Sequence, residues 1–295
     1  MEKNDDIMVS ILTLAYNHEP YIRQCLDGIV MQRTNFRFEL LIHDDASTDE
    51  TANIIREYEK KYPNIIKPIF QKENQYSKKV PIGATYLYPR AKGKYIALCE
   101  GDDYWIDPYK LQKQVDFLEA NLGYSVTGHN AIILNEENKK CDLFNRTLLN
   151  NEYTIEDIII NNWFIPTASI LYRKSTLQQR EYNKSFANGD YYLQLRLLLG
   201  GEKLYYSNEV MSVYRKHLTG FSNTFTPEIL INNLSDLFNH INDITNFKYN
   251  DSIEIKKQKL NQQLQEELRI NKITKSFKYR FIVAASNFFH RLLKI

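Results

Sequence analysis

Strand signals and helix signals alternate over the first hundred residues, and this alternation restricts the fold more than any other feature. Four apolar segments have the length and composition of buried strands: Met8–Leu14, Phe38–Ile42, Ile65–Phe70 and Tyr95–Cys99. Because single helices separate these strands, right-handed crossovers should join them into one sheet. The predicted fold class is therefore α/β, with a Rossmann-like, mainly parallel sheet and flanking helices.

A helix signal follows each of these strands. Proline is favoured at the first helical position, which suits Pro20 and also Pro108, the latter after an N-cap at Asp107. Ser47 and Glu50 have the spacing of a capping box. The predicted helices are Pro20–Met31, Ser47–Lys61, a weaker one at Gly83–Arg90, and Asp107–Asn121.

Polar side chains follow three of the strands where each one ends. They are Asn17 after the first strand, Asp44 and Asp45 after the second, and Glu100, Asp102 and Asp103 after the fourth. Because parallel α/β sheets bind ligands at the carboxyl ends of their strands, this pattern predicts a binding face. The acids of the last group repel one another unless a cation joins them, and Mg²⁺ or Mn²⁺ prefers carboxylate oxygen. Spacing alone leaves two interpretations open, a metal site and a solvated acidic turn.

Signals are weaker in the second half of the chain. Ser125–Leu134 has the composition of a short strand, a polar loop continues to Asn151, and Asp190–Leu199 has a helix signal. Beyond Thr226 the composition shifts towards Asn, Gln, Lys and Ile, with leucines at helical spacing. We therefore expect a main domain over residues 1–225 and a helical extension over residues 226–295.

Charge, cysteines and apolar runs exclude several classes of protein. The 38 Lys and Arg nearly balance the 36 Asp and Glu, so the chain lacks the basic field of a nucleic-acid-binding protein. Cys25, Cys99 and Cys141 have no CxxC spacing, which argues against a zinc or disulfide framework. The N-terminal residues do not resemble an export signal, and no apolar run is long enough to span a bilayer. The expected location is cytoplasmic, either free or peripheral at the inner face of the membrane.

Three segments, in this order and at this spacing, resemble the family 2 glycosyltransferases: Val9–Asn17, Asp44–Asp49 and Gly93–Trp105. The resemblance covers about residues 7 to 222. It implies a GT-A fold and inverting transfer from a nucleotide-sugar, with a UDP-sugar as the expected donor. A glycan or a lipid-linked molecule is the expected acceptor, and bacterial surface polysaccharide synthesis the expected setting.

The resemblance also implies a nucleotide pocket. Asp45 would receive the base, and Leu14, Ala15, Tyr16 and Asn17 would pack around the base and ribose. The neighbouring Asp44 is interpreted as supporting or solvated. Asp49 is interpreted as a helix cap, because an acid in the first helical turn is favoured by the helix dipole.

The acidic run corresponds to the Asp-x-Asp element of the family, which holds a divalent metal, Mg²⁺ or Mn²⁺, and the diphosphate. Glu100, Gly101 and Asp102 occupy its three positions, and Asp103 is expected to support them. Glu100 departs from the family pattern because the family has Asp there. His217 is the other metal ligand that the resemblance implies.

The second half must supply a general base. An Asp at a helix start, such as Asp190, more often caps the helix than reacts. However, the segment from Gly189 to His217 resembles the later region of the family, where the matching Asp is the base. Arg215 would bind phosphate as a fixed positive charge, and residues 219–222 would form a closing loop.

Two tryptophans have aromatic faces that suit sugar rings, although core packing is their more frequent role. They are Trp105 and Trp163. The segment Trp163–Ser169 resembles the acceptor-side strand of the family.

The C-terminal segment is basic and amphipathic. From Arg269 to Ile295 there are seven Lys or Arg and no acids, and apolar residues recur at helical spacing. Such a helix can lie in an anionic membrane interface. Packing on the core, or on a second subunit in a homo-oligomer, explains the pattern equally well, so residues 270–295 keep both interpretations.

Two other functions fit part of the sequence. A nucleotidyltransferase shares the sheet and the metal carboxylates, but it usually has a Gly-rich, basic loop where this chain has Ala15–Pro20. A non-catalytic nucleotide-sugar-binding protein would not need Asp190. Release of a nucleoside diphosphate from a donor separates these alternatives from a glycosyltransferase.

Overall fold

A computed structural model describes residues 6–147, 150–161, 164–178, 186, 189–218 and 227–274. Three predicted features lie wholly or mostly outside these residues: Trp163, the closing loop 219–222 and the basic segment 270–295, which is described only to residue 274. The chain divides into two compact units, Met1–Thr224 and Phe225–Ile295.

In the described part of the chain, the first unit is built on a ten-stranded sheet. The strands are β1 (Ile7–Ala15), β2 (Arg37–Asp44), β3 (Ile66–Phe70), β4 (Tyr95–Leu98), β5 (Tyr104–Trp105), β6 (Tyr124–Asn135), β7 (Cys141–Leu143), β8 (Glu152–Tyr153), β9 (Leu171–Arg173) and β10 (Lys203–Lys216). The helices are α1 (Ile22–Val30), α2 (Thr51–Lys61), α3 (Lys110–Ala120), α4 (Ile155–Asn161), α5 (Lys174–Gln178) and α6 (Gly189–Leu198). Shorter helical turns cover Gly83–Leu87, Tyr88–Arg90 and Thr167–Ser169.

The sheet has the strand order β3-β2-β1-β4-β9-β6-β10-β5, with β7 beside β6 and β8 beside β10. The neighbours from β3 to β4 are all parallel, as the alternating signals predict. β9 is antiparallel to β4 and β6, and β5 is antiparallel to β10, whereas β6 and β10 pair in parallel. The α/β prediction is therefore confirmed, with parallel pairing concentrated in the first half and a sheet that is mixed as a whole.

The observed helices begin later than the predicted ones. α1 starts beyond Pro20, which lies in the preceding turn. α2 starts at Thr51, because Ser47 does not cap it: the Ser47 Oγ accepts the N–H of Asn17 instead. Asp49 lies before the N-cap residue Glu50 and outside the first helical turn, so the predicted cap is not observed there. Its Oδ1 accepts the Thr51 N–H at 3.0 Å and closes the turn that precedes the helix.

The start of α3 differs in the same way. The helix begins at Lys110, whereas the prediction places the N-cap at Asp107. Asp107 Oδ1 accepts the N–H of Tyr109 at 2.7 Å, so this carboxylate closes the turn that precedes the helix.

The second half contains strands that the sequence signals do not predict. β10 has 14 residues, and its pairing with β6 is interrupted by irregularities between Ser207 and Val210 and between Val210 and Ser212. The predicted strand at Trp163–Ser169 is wrong in its described part, because a helical turn at Thr167–Ser169 leads into β9.

Helix α1 packs closely on β5, the short strand that follows the acidic run. A Cβ at Gly28 would lie 2.6 Å from the carbonyl oxygen of Trp105, so the backbones of α1 and β5 are in direct contact at this position. Trp105 is buried, and its Nε1–H donates to the carbonyl of Ala168 at 2.8 Å. This tryptophan therefore packs in the core, and it holds the acidic run close to α1.

The second unit contains α7 (Pro227–Ile244) and α8 (Asn250–Thr274), which agrees with the helical character expected for this region. Its buried residues include Leu237, Phe238, Ile241 and Ile253. Within the described residues, no helix combines the length and the apolarity that crossing a bilayer would require.

Candidate active site

The carboxyl ends of β1, β2 and β4 lie side by side, and this brings the polar segments together. Ala15 is opposite Asp44 in the register of β1 and β2, and the Asp45 N–H donates to the Ala15 carbonyl at 2.9 Å. On the other side of β1, the Gly101 N–H donates to the Leu14 carbonyl at 2.9 Å. The loops after the three strands therefore form one continuous edge.

Asp102 and His217 meet at this edge. The Nε2 of His217 lies 3.0 Å from Oδ2 of Asp102, with 6% and 22% of the two side chains exposed. Burial raises the pKa of Asp102, but the hydrogen bond from His217 and the charges of His18 and His217 outweigh it, so that pKa is lowered. An ionised carboxylate and an imidazole nitrogen are thus paired here.

The pKa of Glu100 is shifted in the opposite direction to that of Asp102. Withdrawal of its carboxyl group from water, the charge of Asp102 and the charge of Asp190 raise the pKa of Glu100 to about 8. Glu100 is therefore largely protonated at pH 7. A cation bound nearby would favour its ionised form and release that proton.

Asp190 reaches the same site from the start of α6. Its Oδ1 accepts the N–H of Tyr191 at 2.8 Å, and the residue is partly exposed. Burial raises the pKa of Asp190, and its charge in turn acts on Glu100. A raised pKa suits a carboxylate that takes up a proton near neutral pH.

Asp103 and Arg215 form a second, buried pair beside Asp102. The backbone N–H of Arg215 donates to Asp103 Oδ1 at 2.9 Å. The Arg215 guanidinium pairs with Glu136 and donates to Gln24, and its side chain is 4% exposed. The resemblance implies that the Arg215 guanidinium binds phosphate. In the structure this guanidinium instead donates hydrogen bonds to Glu136 and Gln24.

His18 also belongs to this site, although the sequence pattern does not indicate it. Its Nδ1 is buried, and a Cβ at Gly101 would lie 2.7 Å from that nitrogen. Burial lowers the pKa of His18, and the charge of Asp102 acts in the other direction. The signals that could have found it are its place directly after Asn17 and the glycine in the acidic run.

The carboxylate of Asp45 is buried and binds a loop. Its Oδ1 accepts the N–H of Gln75 at 2.8 Å, and its Oδ2 accepts the N–H of Tyr76 at 3.0 Å. Each oxygen can accept a further hydrogen bond, so contact with a base is still chemically feasible. The neighbouring Asp44 accepts the Ser47 N–H at 3.3 Å, and burial raises the pKa of Asp44. Asp44 thus supports the loop, as interpreted.

The four residues at the end of β1 differ in accessibility. Ala15 is buried, Leu14 is partly buried, and Tyr16 is 45% exposed. Asn17 has a positive φ of 54°, and its Oδ1 accepts the N–H of Thr48 at 2.8 Å. Tyr16 is therefore available for stacking, whereas Asn17 joins the loops after β1 and β2.

Asp102 and His217 fit a divalent ion of the expected kind. Their donor atoms are 3.0 Å apart, which is the spacing of adjacent corners of an octahedron with bonds of about 2.1 Å. Among the described residues, no group of three His, Cys, Asp or Glu is placed to hold a metal ion. Glu100, the third predicted ligand, does not complete such a group, so water and substrate phosphate would supply the remaining ligands.

The chain is similar in sequence to several known proteins. The chain spans 60% of the uncharacterized protein Rv1520 of Mycobacterium tuberculosis, with 39% identity over 217 residues, or 72% of this chain. The putative teichuronic acid biosynthesis glycosyltransferase TuaG of Bacillus subtilis is 27% identical over 209 residues, which are 70% of this chain and 79% of TuaG.

The fold has counterparts among solved structures. Residues 1–349 of S. aureus TarS, in complex with UDP-GlcNAc, superpose with a TM-score of 0.66 at 18% identity, covering 88% of this chain and 73% of TarS. This similarity confirms the predicted GT-A fold. The model of the family described as glycosyl transferase family 2 matches residues 10–192, which is more than half of the chain. The chain therefore belongs to glycosyl transferase family 2.

Proposed function

We propose that this chain is an inverting glycosyltransferase that moves a sugar from a UDP-sugar to a hydroxyl group of a glycan or lipid-linked acceptor. The observation that carries this proposal is the convergence of a metal-binding pair and a candidate base at one edge of the sheet. Asp102 and His217 are the pair, and Asp190 is the base whose charge acts on Glu100. Membership of the family supports sugar transfer as the reaction.

The proposed donor pocket lies along the ends of β1 and β2. Tyr16 would stack on the base, and Asp45 would accept a hydrogen bond from it while holding the loop at Gln75 and Tyr76. Leu14, Ala15 and Asn17 form the backbone wall of this pocket. The complex of TarS with UDP-GlcNAc supports uridine as the nucleoside.

A divalent ion, Mg²⁺ or Mn²⁺, would stabilise the charge of the leaving diphosphate as a Lewis acid. Asp102 and His217 would hold that ion. The negative charges of Asp102 and Asp190 would otherwise repel a diphosphate, so a donor must arrive with a compensating cation. Gly101, which carries no side chain, lets the acidic run pack closely against His18 and the Leu14 carbonyl.

In the proposed reaction the acceptor hydroxyl attacks the anomeric carbon as the bond from that carbon to the diphosphate oxygen breaks. Asp190 takes the hydroxyl proton, a new glycosidic bond forms, and UDP leaves. Attack from the face opposite the leaving group inverts the configuration. A positioned base of this kind contributes about 10²–10⁴-fold to the rate, and the raised pKa of Asp190 suits that role.

The proposed setting is the synthesis of a bacterial surface polysaccharide. The printed function of TuaG, teichuronic acid biosynthesis, supports a polymer of this class. A place in the cytoplasm, peripheral at the inner face of the membrane, would bring the site to a lipid-linked acceptor.

The test is release of nucleoside diphosphate from a panel of UDP- and GDP-sugars with Mn²⁺, with and without glycan and lipid-linked acceptors. Asp190→Asn should lower turnover by about 10²–10⁴-fold while donor affinity is kept. Asp107→Asn is the matched control, because Asp107 caps a turn outside the site, and its turnover should be unchanged.

Two outcomes would contradict the proposal. Turnover that survives Asp190→Asn would refute this residue as the base. Donor binding without turnover by the unaltered protein would instead support a non-catalytic nucleotide-sugar-binding protein.

A further inference from the structure

Arg215 is linked to both residues of the proposed metal pair. Its backbone N–H donates to Asp103 Oδ1 at 2.9 Å, and Asp103 directly follows Asp102. His217 lies two positions beyond Arg215, directly after Lys216, the last residue of β10. Only one residue separates Arg215 from His217. Any shift of Arg215 would therefore move His217 relative to the acidic run.

The guanidinium of Arg215 is stacked between two tyrosine rings. Its central carbon lies 5.1 Å from the ring centroid of Tyr21 and 4.7 Å from that of Tyr104. The Tyr21 ring also packs on the His217 ring, with centroids 4.8 Å apart. Tyr21 thus contacts Arg215 and His217 together, while Tyr104 directly follows Asp103. A planar guanidinium can stack and donate hydrogen bonds at once, which a lysine ammonium cannot do equally well.

Glu136, the charge partner of Arg215, is held in place by a backbone hydrogen bond. Glu136 lies just beyond β6, and its N–H donates to the carbonyl of Lys216 at 2.9 Å. Its carboxylate pairs with the guanidinium, with 4% of the Arg215 side chain and 13% of the Glu136 side chain exposed. A second guanidinium nitrogen donates to Gln24 on α1. Strand β6, strand β10 and helix α1 therefore meet at this one side chain.

We propose that Arg215 is a positioning residue that locks the end of β10 onto the acidic run. It holds His217 Nε2 and Asp102 Oδ2 at 3.0 Å before the metal and the donor bind. The inference rests on the proposed function, because it concerns the same metal and diphosphate site. It gives Arg215 a role that differs from direct contact with phosphate.

The test measures two affinities on the full chain. Mn²⁺ binding is followed in the presence of UDP by the electron paramagnetic resonance signal of free Mn²⁺, and UDP binding is followed by calorimetry in EDTA. Arg215→Met should weaken Mn²⁺ binding about ten- to hundredfold, as expected when a group that orients metal ligands is lost. Its metal-free UDP affinity should stay within about twofold of the unaltered protein, because the proposal gives Arg215 no contact with the nucleotide.

Arg173→Met is the matched control. The Arg173 guanidinium is also partly buried, donates to the Tyr124 carbonyl and the Tyr95 hydroxyl at 2.9 Å each, and stacks on the Tyr95 ring. It lies on β9 and contacts none of the proposed site residues. Both of its measured affinities should equal those of the unaltered protein, which separates positioning from a general loss of packing.

Unchanged Mn²⁺ affinity in Arg215→Met would overturn the proposal. Loss of metal-free UDP binding with Mn²⁺ affinity retained would also overturn it, in favour of a phosphate contact. Where circular dichroism shows that Arg215→Met is unfolded, Glu136→Gln decides, because it removes the charge pair and keeps an acceptor. Its Mn²⁺ affinity must fall, and an unchanged value refutes the proposal.

Failure here is distinct from failure of the proposed function, because neither affinity depends on turnover. A protein that turns over no donor but shows the expected Mn²⁺ difference would retain the positioning role and lose the transferase assignment. Unaltered protein that binds no Mn²⁺ with UDP present would refute both the metal site and the role of Arg215.

Discussion

Gly101 lies between Glu100 and Asp102 in the acidic run, next to the end of β1. A Cβ at this position would lie 2.7 Å from His18 Nδ1 and 3.0 Å from the Leu14 carbonyl oxygen. The imidazole could shift, but the carbonyl belongs to a buried strand and cannot. The site therefore needs glycine for the space around it, since Gly101 does not have a positive φ.

Gly101→Ala should consequently destabilise the fold by about 1–3 kcal/mol, the usual cost of overpacking. Gly83→Ala is the control, because nothing lies within 4 Å of the added Cβ there, and its effect should stay within about 0.5 kcal/mol. Combining Gly101→Ala with His18→Ala should recover part of the loss. Urea unfolding of these three variants and of His18→Ala alone measures this coupling, and equal costs for the two glycines would contradict the steric explanation.

Glu100 should make the stability of the metal-free protein depend on pH. Its pKa is about 8 in the folded chain against an ordinary value of 4.5, so the folded state binds the proton more tightly. The unfolding free energy contributed by this group is then present at low pH and is lost as pH rises from about 4.5 to 8. The slope cannot exceed about 1.4 kcal/mol per pH unit for one proton.

Thermal or urea unfolding in EDTA at several pH values checks this, with Glu100→Gln as the reference. The stability of the unaltered protein relative to Glu100→Gln should fall between pH 4.5 and 8. Glu119→Gln is the control, because hydrogen bonds from Lys94 and Tyr95 hold the pKa of Glu119 below its ordinary value. A flat difference for Glu100→Gln would show that Glu100 is ionised throughout.

At this scale the sequence identifies residues better than it identifies contacts. Asp102, His217 and Asp190 are selected by their resemblance to the family. The structure pairs Asp102 with His217, and the charge of Asp190 acts on Glu100. His18 is missed because its importance arises from a long-range approach to Gly101, which spacing along the chain does not encode. Arg215 is selected, but its burial against Glu136 depends on how β6 and β10 pair.

At the scale of elements, the loop after β3 is attached to the end of β2 by one carboxylate. Asp45 accepts the backbone N–H groups of Gln75 and Tyr76, and Asn74 Nδ2 donates to the Asp45 carbonyl at 3.4 Å. Both carboxylate oxygens are needed, because each serves a different N–H. The loop is therefore held at the place where the proposed donor pocket lies.

Asp45→Asn should release this loop. The asparagine amide nitrogen replaces one of the two carboxylate oxygens, so one of the two backbone N–H groups loses its acceptor and faces another donor. Loss of a hydrogen bond to a charged group costs about 1.5–3 kcal/mol, so hydrogen exchange at Gln75 and Tyr76 should accelerate. UDP affinity should fall in parallel. Asp44→Asn is the control, because Asp44 accepts a single N–H from Ser47, and an asparagine oxygen can replace that contact. Unchanged exchange in Asp45→Asn would show that the loop does not depend on this carboxylate.

Strands with apolar, β-branched runs are predictable because burial on both faces of a parallel sheet requires such runs. β1, β2, β3 and β4 agree with prediction to within a few residues for this reason. Helix starts are less predictable, because Ser47 uses its capping oxygen to bind Asn17 in another loop and Asp107 uses its own on the turn before α3. β10 is missed because its polar and aromatic residues, including Ser212 and Arg215, are buried by neighbours distant in the chain.

At the scale of the whole molecule, all proposed site residues belong to the first unit, Met1–Thr224. The charge of the chain is nearly balanced, but its distribution is not, since the segment from Arg269 to Ile295 has seven Lys or Arg and no acids. The sequence leaves open whether this segment contacts a membrane or a protein surface. The two interpretations differ in their dependence on lipid charge and salt.

We predict that the full chain co-sediments with vesicles that contain phosphatidylglycerol and not with neutral phosphatidylcholine vesicles. Each Lys or Arg near an anionic surface contributes about 1 kcal/mol, and the attraction falls off over a Debye length of about 10 Å at 0.1 M salt. Binding should therefore weaken sharply when salt is raised to about 0.5 M, where the Debye length is shorter.

A chain lacking residues 270–295 is the decisive comparison, because it removes the basic apolar segment and leaves every proposed site residue in place. It should lose vesicle binding and keep turnover of a water-soluble acceptor. Turnover of a lipid-linked acceptor in vesicles should fall, because the enzyme is no longer concentrated at the surface that carries its substrate. Unchanged co-sedimentation of the shortened chain would refute the membrane interpretation. A change in sedimentation coefficient between the two chains in the absence of lipid would instead favour contact with a second subunit.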